Sequence, residues 1–223
     1  MWFNRAPPEL TDRGASDANK ACIPRFLFAS LLSIHILYET FTYYRATLHV
    51  FIDRFLELAY LHRGVRTMAS SMYDSILESS IGPFLINIRN AQEAAKHRGN
   101  ECAELVNLIQ ASDLGPTAVI GCLSAACTLQ WAFNIHANLS LEDNVHAATA
   151  FPVLLAADFV DTAQKHQPEA LMVLAYYGVL LHRCRKSWII DDVGTFLVRL
   201  IAGYLGSFWQ EQMRWPLEEI AKE

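Results

Sequence analysis

The chain is 223 residues long with a net charge of −5, an isoelectric point near 5.9 and a mean hydropathy of +0.17. Apolar residues make up 52% and charged residues only 18%, against about 25% charged in ordinary soluble domains. These figures exclude a disordered chain, a collagen-like chain and a freestanding basic DNA binder. The surplus apolar surface must line a core, an enclosed ligand cavity, a partner face or a bilayer.

Met1 to Arg13 begins polar and proline-containing, without the apolar core of a signal peptide, and residues 1–21 read as a flexible lead-in to one domain, 22–223. Pro24 predicts the first turn of a helix to about Tyr44, apolar on most sides and so buried. Leu48, Phe51, Ile52, Phe55, Leu56 and Ala59 recur at helical spacing, with Asp53, Arg54 and Glu57 on the other face. Gly64 is expected to break or relax the chain before a second helical run, Val65 to Leu77, and Gly82-Pro83 marks a turn. The polar stretch 87–100, with Arg89, Lys96, His97 and Arg98, suggests a loop or exposed helix end, and Glu101 to Ala111 a short amphipathic helix.

Pro116 opens a long helix without charge. A further helix is expected over Glu142 to Phe151, and Pro152 starts or kinks the next, which ends near Lys165. Pro168 starts a helix with Leu171, Met172, Leu174, Ala175, Val179, Leu180 and Leu181 around nearly all of it, as a central buried helix requires. Val193, Phe196, Leu197, Leu200, Ile201, Tyr204 and Leu205 trace an amphipathic helix that Gly206 can end. A short helix over Phe208 to Met213 follows, and Pro216 reinitiates a tail of Leu217 to Ile220. No strand alternation, hairpin signal or fixed-period repeat appears. The fold class is all-α, a single multi-helix domain with a buried central helix and an expected apolar cavity.

Two stretches bear on a membrane. Phe26 to Tyr38 is apolar but only 13 residues long, too short for a ~30 Å hydrocarbon layer. Leu114 to Leu141 has 28 residues without Asp, Glu, Lys or Arg, but its Gln130, Asn134 and His136 and its lack of close basic flanks fit a buried helix better. No membrane span is expected.

Five scattered cysteines, Cys22, Cys102, Cys122, Cys127 and Cys184, form no disulfide framework and suggest a reducing compartment. The Asn138-Leu139-Ser140 sequon therefore carries no expected modification. Cys122 and Cys127 stand about 140° apart on a helix and cannot share a zinc ion; no metal or cofactor is expected. Asp191-Asp192 invites comparison with a magnesium-diphosphate motif, but no third acid follows at helical spacing, and N-terminal capping of the next helix is the simpler reading. Asp158 and Asp161 share a helical face without the basic diphosphate sensors such chemistry needs. No histidine has a local Ser or Cys nucleophile pattern beside it. His182, at the end of the buried helix beside Arg183, is the best candidate general base, with pairing to helix-terminal carbonyls as the plainer role. Arg183, Arg185 and Lys186 match a helix C-terminus, and with the negative net charge no direct nucleic-acid binding is expected. The dense aromatic set from Tyr176 to Trp215 suits a core or a ligand pocket.

The run Ala170 to Arg183, then Trp188, Trp209 and Arg214-Trp215-Pro216-Leu217-Glu218-Glu219-Ile220, resembles the regulatory domain of fungal zinc-cluster transcription factors, most of all the sterol-uptake-control type. Leu61 to Thr67, Ile81 to Leu85 and Phe151 to Val160 are similar to further parts of that domain. The resemblance covers about 22–221, patchily between 86 and 145. It implies an all-helical regulatory domain, a lipophilic small-molecule ligand such as a sterol, a homo- or heterodimer, and a nuclear or cytoplasmic location. The six-cysteine cluster and basic linker of such regulators do not occur in these residues. The chain is then a truncated regulator, a partner of another DNA-bound protein, or a domain put to new use. The last case includes a cofactor-independent cyclase or isomerase of secondary metabolism, with His182 and Asp158 as polar members; a simple heterodimerisation module is a third reading. The residues expected to line the pocket are Phe159, Leu174, Tyr177, Leu181, Trp188 and Phe196.

Overall fold

The computed structural model describes residues 14–71, 76–80, 82–94 and 99–222. Among them are ten α-helices, one 3-10 turn and no strand. The helices are α1 (Gly14–Tyr43), α2 (Leu48–Ser71), α3 (Gly82–Ala94), α4 (Ala103–Gln110), α5 (Pro116–His136), α6 (Val145–Leu154), α7 (Ala157–Gln164), α8 (Pro168–Arg183), α9 (Val193–Leu205) and α10 (Arg214–Ile220), with the turn at Ser207–Trp209. They make one all-α domain. Residues 1–13 of the expected lead-in, 72–75 of the second run, Ile81 and the basic Lys96 to Arg98 lie outside the described residues.

Helix α8 is the axis of the bundle. Every residue from Ala170 to His182 is buried, and α4, α5, α6, α7, α9 and α10 all pack on it. Its closest neighbour is α9, and two glycines make the approach possible. A Cβ on Gly194 would lie 2.3 Å from the His182 amide nitrogen and 2.5 Å from the Gly178 carbonyl. Gly206 ends α9 at φ +70°, a left-handed conformation that costs glycine little.

Four sequence expectations need correction. Helix α2 passes through Gly64 without a break; the cost of ~1 kcal/mol for an internal glycine is small beside the buried face from Leu48 to Ala59 that anchors the helix. Gly82-Pro83 opens α3 rather than forming an isolated turn. The break near Pro152 falls at Leu155-Ala156, where α6 and α7 meet at 89°, and Pro152 sits inside the last turn of α6.

The fourth concerns α1. It begins at Gly14, ten residues before Pro24, and its middle, from Pro24 to Leu32, is largely exposed rather than buried. Phe28 is 70% and Leu31 66% exposed, whereas Leu37 and Phe41 are sealed in the core. Helix α1 packs on α2, and the apolar side chains at Phe28 and Leu31 stay outside that contact.

Two helical stretches are long and apolar enough to cross a membrane: Pro24–Tyr43, 20 residues, and Pro116–His136, 21 residues. The second is the uncharged helix α5, and it packs against α6, α7 and α8.

Candidate functional site

The six residues expected to line one pocket separate into two environments. Phe159, Leu174, Tyr177 and Leu181 have no solvent exposure and belong to the packed core. The Tyr177 ring stacks on Phe151 at 4.6 Å and tilts against Phe55 at 5.5 Å. Its hydroxyl donates to the Ala148 carbonyl at 3.0 Å, and burial pushes its pKa well above the ordinary phenol value. The bond has a specific cause. An α-helical carbonyl at 148 would accept from the N–H of residue 152, but residue 152 is proline and has none. Tyr177 supplies the missing donor.

Trp188 and Phe196 lie outside that core. Trp188 is 72% exposed and its ring meets Tyr38 of α1 at 5.5 Å. Phe196 packs edge-on against Phe51 at 5.7 Å, under the Arg45 guanidinium at 5.2 Å. Between α1 and the loop before α9 runs a groove of about 190 Å³, lined by Tyr38, Phe41, Thr42, Arg45, Trp188 and Asp191, with Ile189 and Ile190. Arg45 fixes its floor: Nε donates to the Phe41 carbonyl and Nη1 to Asp192 Oδ1 at 2.5 Å. Asp192 makes no side-chain cap on α9, so the capping role expected of it is replaced by this ion pair. Asp191 turns the loop at φ +48°, a left-handed conformation that Asp tolerates better than most residues. Sequence reasoning missed Tyr38 and Arg45. No local pattern links Arg45 to an acid 147 positions away.

The two polar candidates do not share a site. Asp158 is exposed and lines an open depression of about 380 Å³ with Asp161, Thr162, Lys165 and the start of α5; Asp161 accepts from Tyr60 Oη at 2.8 Å. His182 is buried and joins three elements. Its Nε2 lies 3.2 Å from the Lys222 carbonyl and its Nδ1 2.9 Å from Thr195 Oγ1. A carbonyl can only accept, so Nε2 carries the hydrogen and Nδ1 accepts from the threonine. Burial lowers the pKa of His182, which keeps this neutral tautomer. The terminal carbonyl it pairs with follows α10 and is not one of its own helix.

Part of the run that carries the resemblance, Arg183 and the segment from Trp215 to Glu219, packs at the same end of α8. Trp215 stacks on Tyr176 at 4.6 Å and meets Phe133 edge-on at 6.2 Å. Arg183 pairs with Glu219 at 2.9 Å and Glu101 at 3.3 Å while lying 5.0 Å from the Phe133 ring. Burial opposes ionisation of both glutamates, but hydrogen bonds from Gln130 to Glu101, from Lys222 to Glu219 and from Arg183 to both outweigh it, and both pKa values fall below the ordinary carboxylate range. The motif thus fastens the C-terminal helix to α8.

Among the described residues no group of three or more His, Cys, Asp or Glu could hold a metal ion. Cys122 is buried and Cys127 exposed, as their angular separation on α5 dictates. Burial raises the Cys122 and Cys184 thiols to about 12, which leaves them un-ionised and poor nucleophiles.

Over 97 residues the chain is 30% identical to a protein of Gibberella zeae described as a Zn(2)-C6 fungal-type transcription factor. The match takes in 42% of this chain and 18% of that relative, so the chain spans a minor part of the relative's length. No family model matches the chain, and no solved structure does. The chain is a distant relative of a fungal zinc-cluster transcription factor.

Proposed function

We propose that the chain is a helical regulatory module of the fungal zinc-cluster transcription-factor type, and that it works through its outer surface by contact with protein. The homologous stretch supports the regulatory reading. The observation that carries the surface reading is the placement of apolar side chains. Four of the six expected ligand residues, Phe159, Leu174, Tyr177 and Leu181, are sealed in the packed core, while Phe28, Leu31 and Trp188 face outward. The groove at Trp188 is smaller than the ~300 Å³ at which small-molecule pockets begin, and the larger depression is open and lined by Asp158, Asp161 and Lys165. Neither offers a sterol an apolar enclosure. The cyclase alternative draws no support from the site, because His182 and Asp158 serve different surroundings.

The test is a tethering assay. The chain is fused to a heterologous DNA-binding domain in a fungal host with a matching reporter, and expected to change transcription in either direction. In parallel, the purified chain is heated with a panel of sterols and other lipophiles and should show no concentration-dependent rise in Tm. A silent reporter refutes the regulatory reading; a saturable rise in Tm with one lipophile refutes the surface reading and restores an internal-ligand regulator.

A further inference from the structure

We propose that His49 and His166 form a binding site for a late first-row divalent cation, copper(II) before nickel(II) before zinc(II), with water completing the coordination. The ion ties α2 to the turn between α7 and α8. The two imidazoles lie with their ring centroids 4.3 Å apart and their planes tilted by 42°. Tyr204 of α9 stands beside both, its ring 5.7 Å from His49 and 6.2 Å from His166. The site shares no residue with the groove at Trp188 or with the His182 contacts.

The backbone places His166 in an unusual position. Helix α7 ends in a Schellman turn, in which the Gln167 N–H donates to the Thr162 carbonyl at 3.5 Å and the His166 N–H to the Ala163 carbonyl at 2.9 Å. His166 itself takes φ +53°, the left-handed position that glycine ordinarily fills. Here that position lays an imidazole against α2. The ring is in the state that a metal ligand needs. One of its nitrogens bonds the backbone carbonyl of Gln164, while Nε2 is shut off from water and has no hydrogen-bond partner among the described residues. The bond to the carbonyl is therefore made by Nδ1, which carries the hydrogen, and the lone pair on Nε2 is left over. Donation of one ring N–H to a carbonyl is the common arrangement of a histidine whose other nitrogen binds metal. Burial, and then the neighbouring His49, lower the pKa of His166, so the lone pair is not taken up by a proton at neutral pH.

The spacing of the rings selects among ions. A metal bonded at ~2.1 Å sits about 3.2 Å from the centroid of each imidazole that holds it. Centroids 4.3 Å apart then subtend about 85° at the metal, the cis angle of square-planar and octahedral ions rather than the tetrahedral angle of zinc. The affinity order of nitrogen ligands also puts copper(II) first. Among the described residues no third His, Cys, Asp or Glu completes the set, so water fills the remaining positions and the ion exchanges. Asp53, one helical turn along α2 from His49, is close enough for its charge to act on His166, and it favours a cation there.

The experiment uses the full chain with Cys22→Ser and Cys127→Ser, which remove competing thiols. Calorimetric titration with copper(II), nickel(II) and zinc(II) chlorides should give one ion per chain, with affinity falling in that order. Saturating nickel(II) should raise Tm by ~5 °C or more. His49→Gln should weaken nickel binding at least ~10-fold, and so should His166→Asn, which keeps a residue suited to the left-handed turn. His35→Gln, at a histidine with a 66% exposed side chain, should leave the affinity unchanged. Substoichiometric copper(II) should broaden the imidazole NMR signals of His49 and His166 ahead of those of the other histidines. If His166→Asn fails to fold, His49→Gln and the NMR signals decide. No binding of any of the three ions at ~1 mM overturns the proposal, as does an equal loss in His35→Gln. Zinc(II) bound more tightly than copper(II) overturns the geometry on which it stands.

Discussion

Tyr177→Phe removes a single oxygen from the centre of the core and should cost about 1–3 kcal/mol, the penalty of leaving a buried acceptor without a donor. The ring contacts with Phe151 and Phe55 survive the change, so no cavity accompanies it. What is lost is the hydrogen bond from Tyr177 to the Ala148 carbonyl, which Pro152 has deprived of its i+4 helical partner. This makes a sharper claim than a stability loss. Restoring an N–H at 152 by Pro152→Ala should satisfy that carbonyl from within α6. The cost of Tyr177→Phe should then shrink to below about 1 kcal/mol, giving a coupling of ~1–2 kcal/mol in a double-mutant cycle. Urea unfolding of the four proteins, compared at equal m-value, measures it. Additivity to within ~0.3 kcal/mol would refute the reasoning and return Tyr177 to an ordinary packing role.

Gly194→Ala and Gly203→Ala place the same methyl group on the same helix with opposite results. The first must push α8 and α9 apart, overpacking worth ~1–3 kcal/mol together with strain on the His182–Thr195 bond, and should lower Tm by on the order of 10 °C. The second meets nothing within 4 Å and should raise stability by ~0.5–1 kcal/mol; similar Tm values for the two would discredit the close approach of α8 and α9. Burial lowers the pKa values of His136, His146, His166 and His182. The unfolded chain therefore takes up protons near pH 6.5 that the native state refuses, so stability should be level above ~6.5 and fall as the pH drops below it. The denaturation midpoint in urea at pH 7.5, 6.5 and 5.5 reads this directly, and a flat or rising midpoint toward acid contradicts it.

Periodicity in the sequence located most helices because it records how each helix divides its surface. The faces of α2 and α9 are legible for that reason, and so is Pro168 at the start of α8. Periodicity does not record what stands opposite. Helices α1 and α8 both read as apolar on most sides, yet α8 is enclosed by six others while Leu27, Phe28, Leu31 and Leu32 of α1 are exposed. Pocket residues were illegible for a related cause. An aromatic residue that stops a proline-made gap, such as Tyr177, has the composition expected of a ligand contact. Half of its role could have been read: Pro152 announces an orphan carbonyl at Ala148. The donor, 29 residues away, could not.

The low charge of the chain now has two separate sources. One is the core around α8, where the sequence from Ala170 to His182 is buried without interruption and needs no ligand to account for it. The other is a set of solvent-facing apolar side chains, Phe28 and Leu31 on α1 and Trp188 in the loop before α9. A domain built around an internal ligand would place its surplus apolar surface inward, beside Tyr177 and Leu181. This chain also leaves Phe28, Leu31 and Trp188 outside, and that is the distribution on which the surface reading rests.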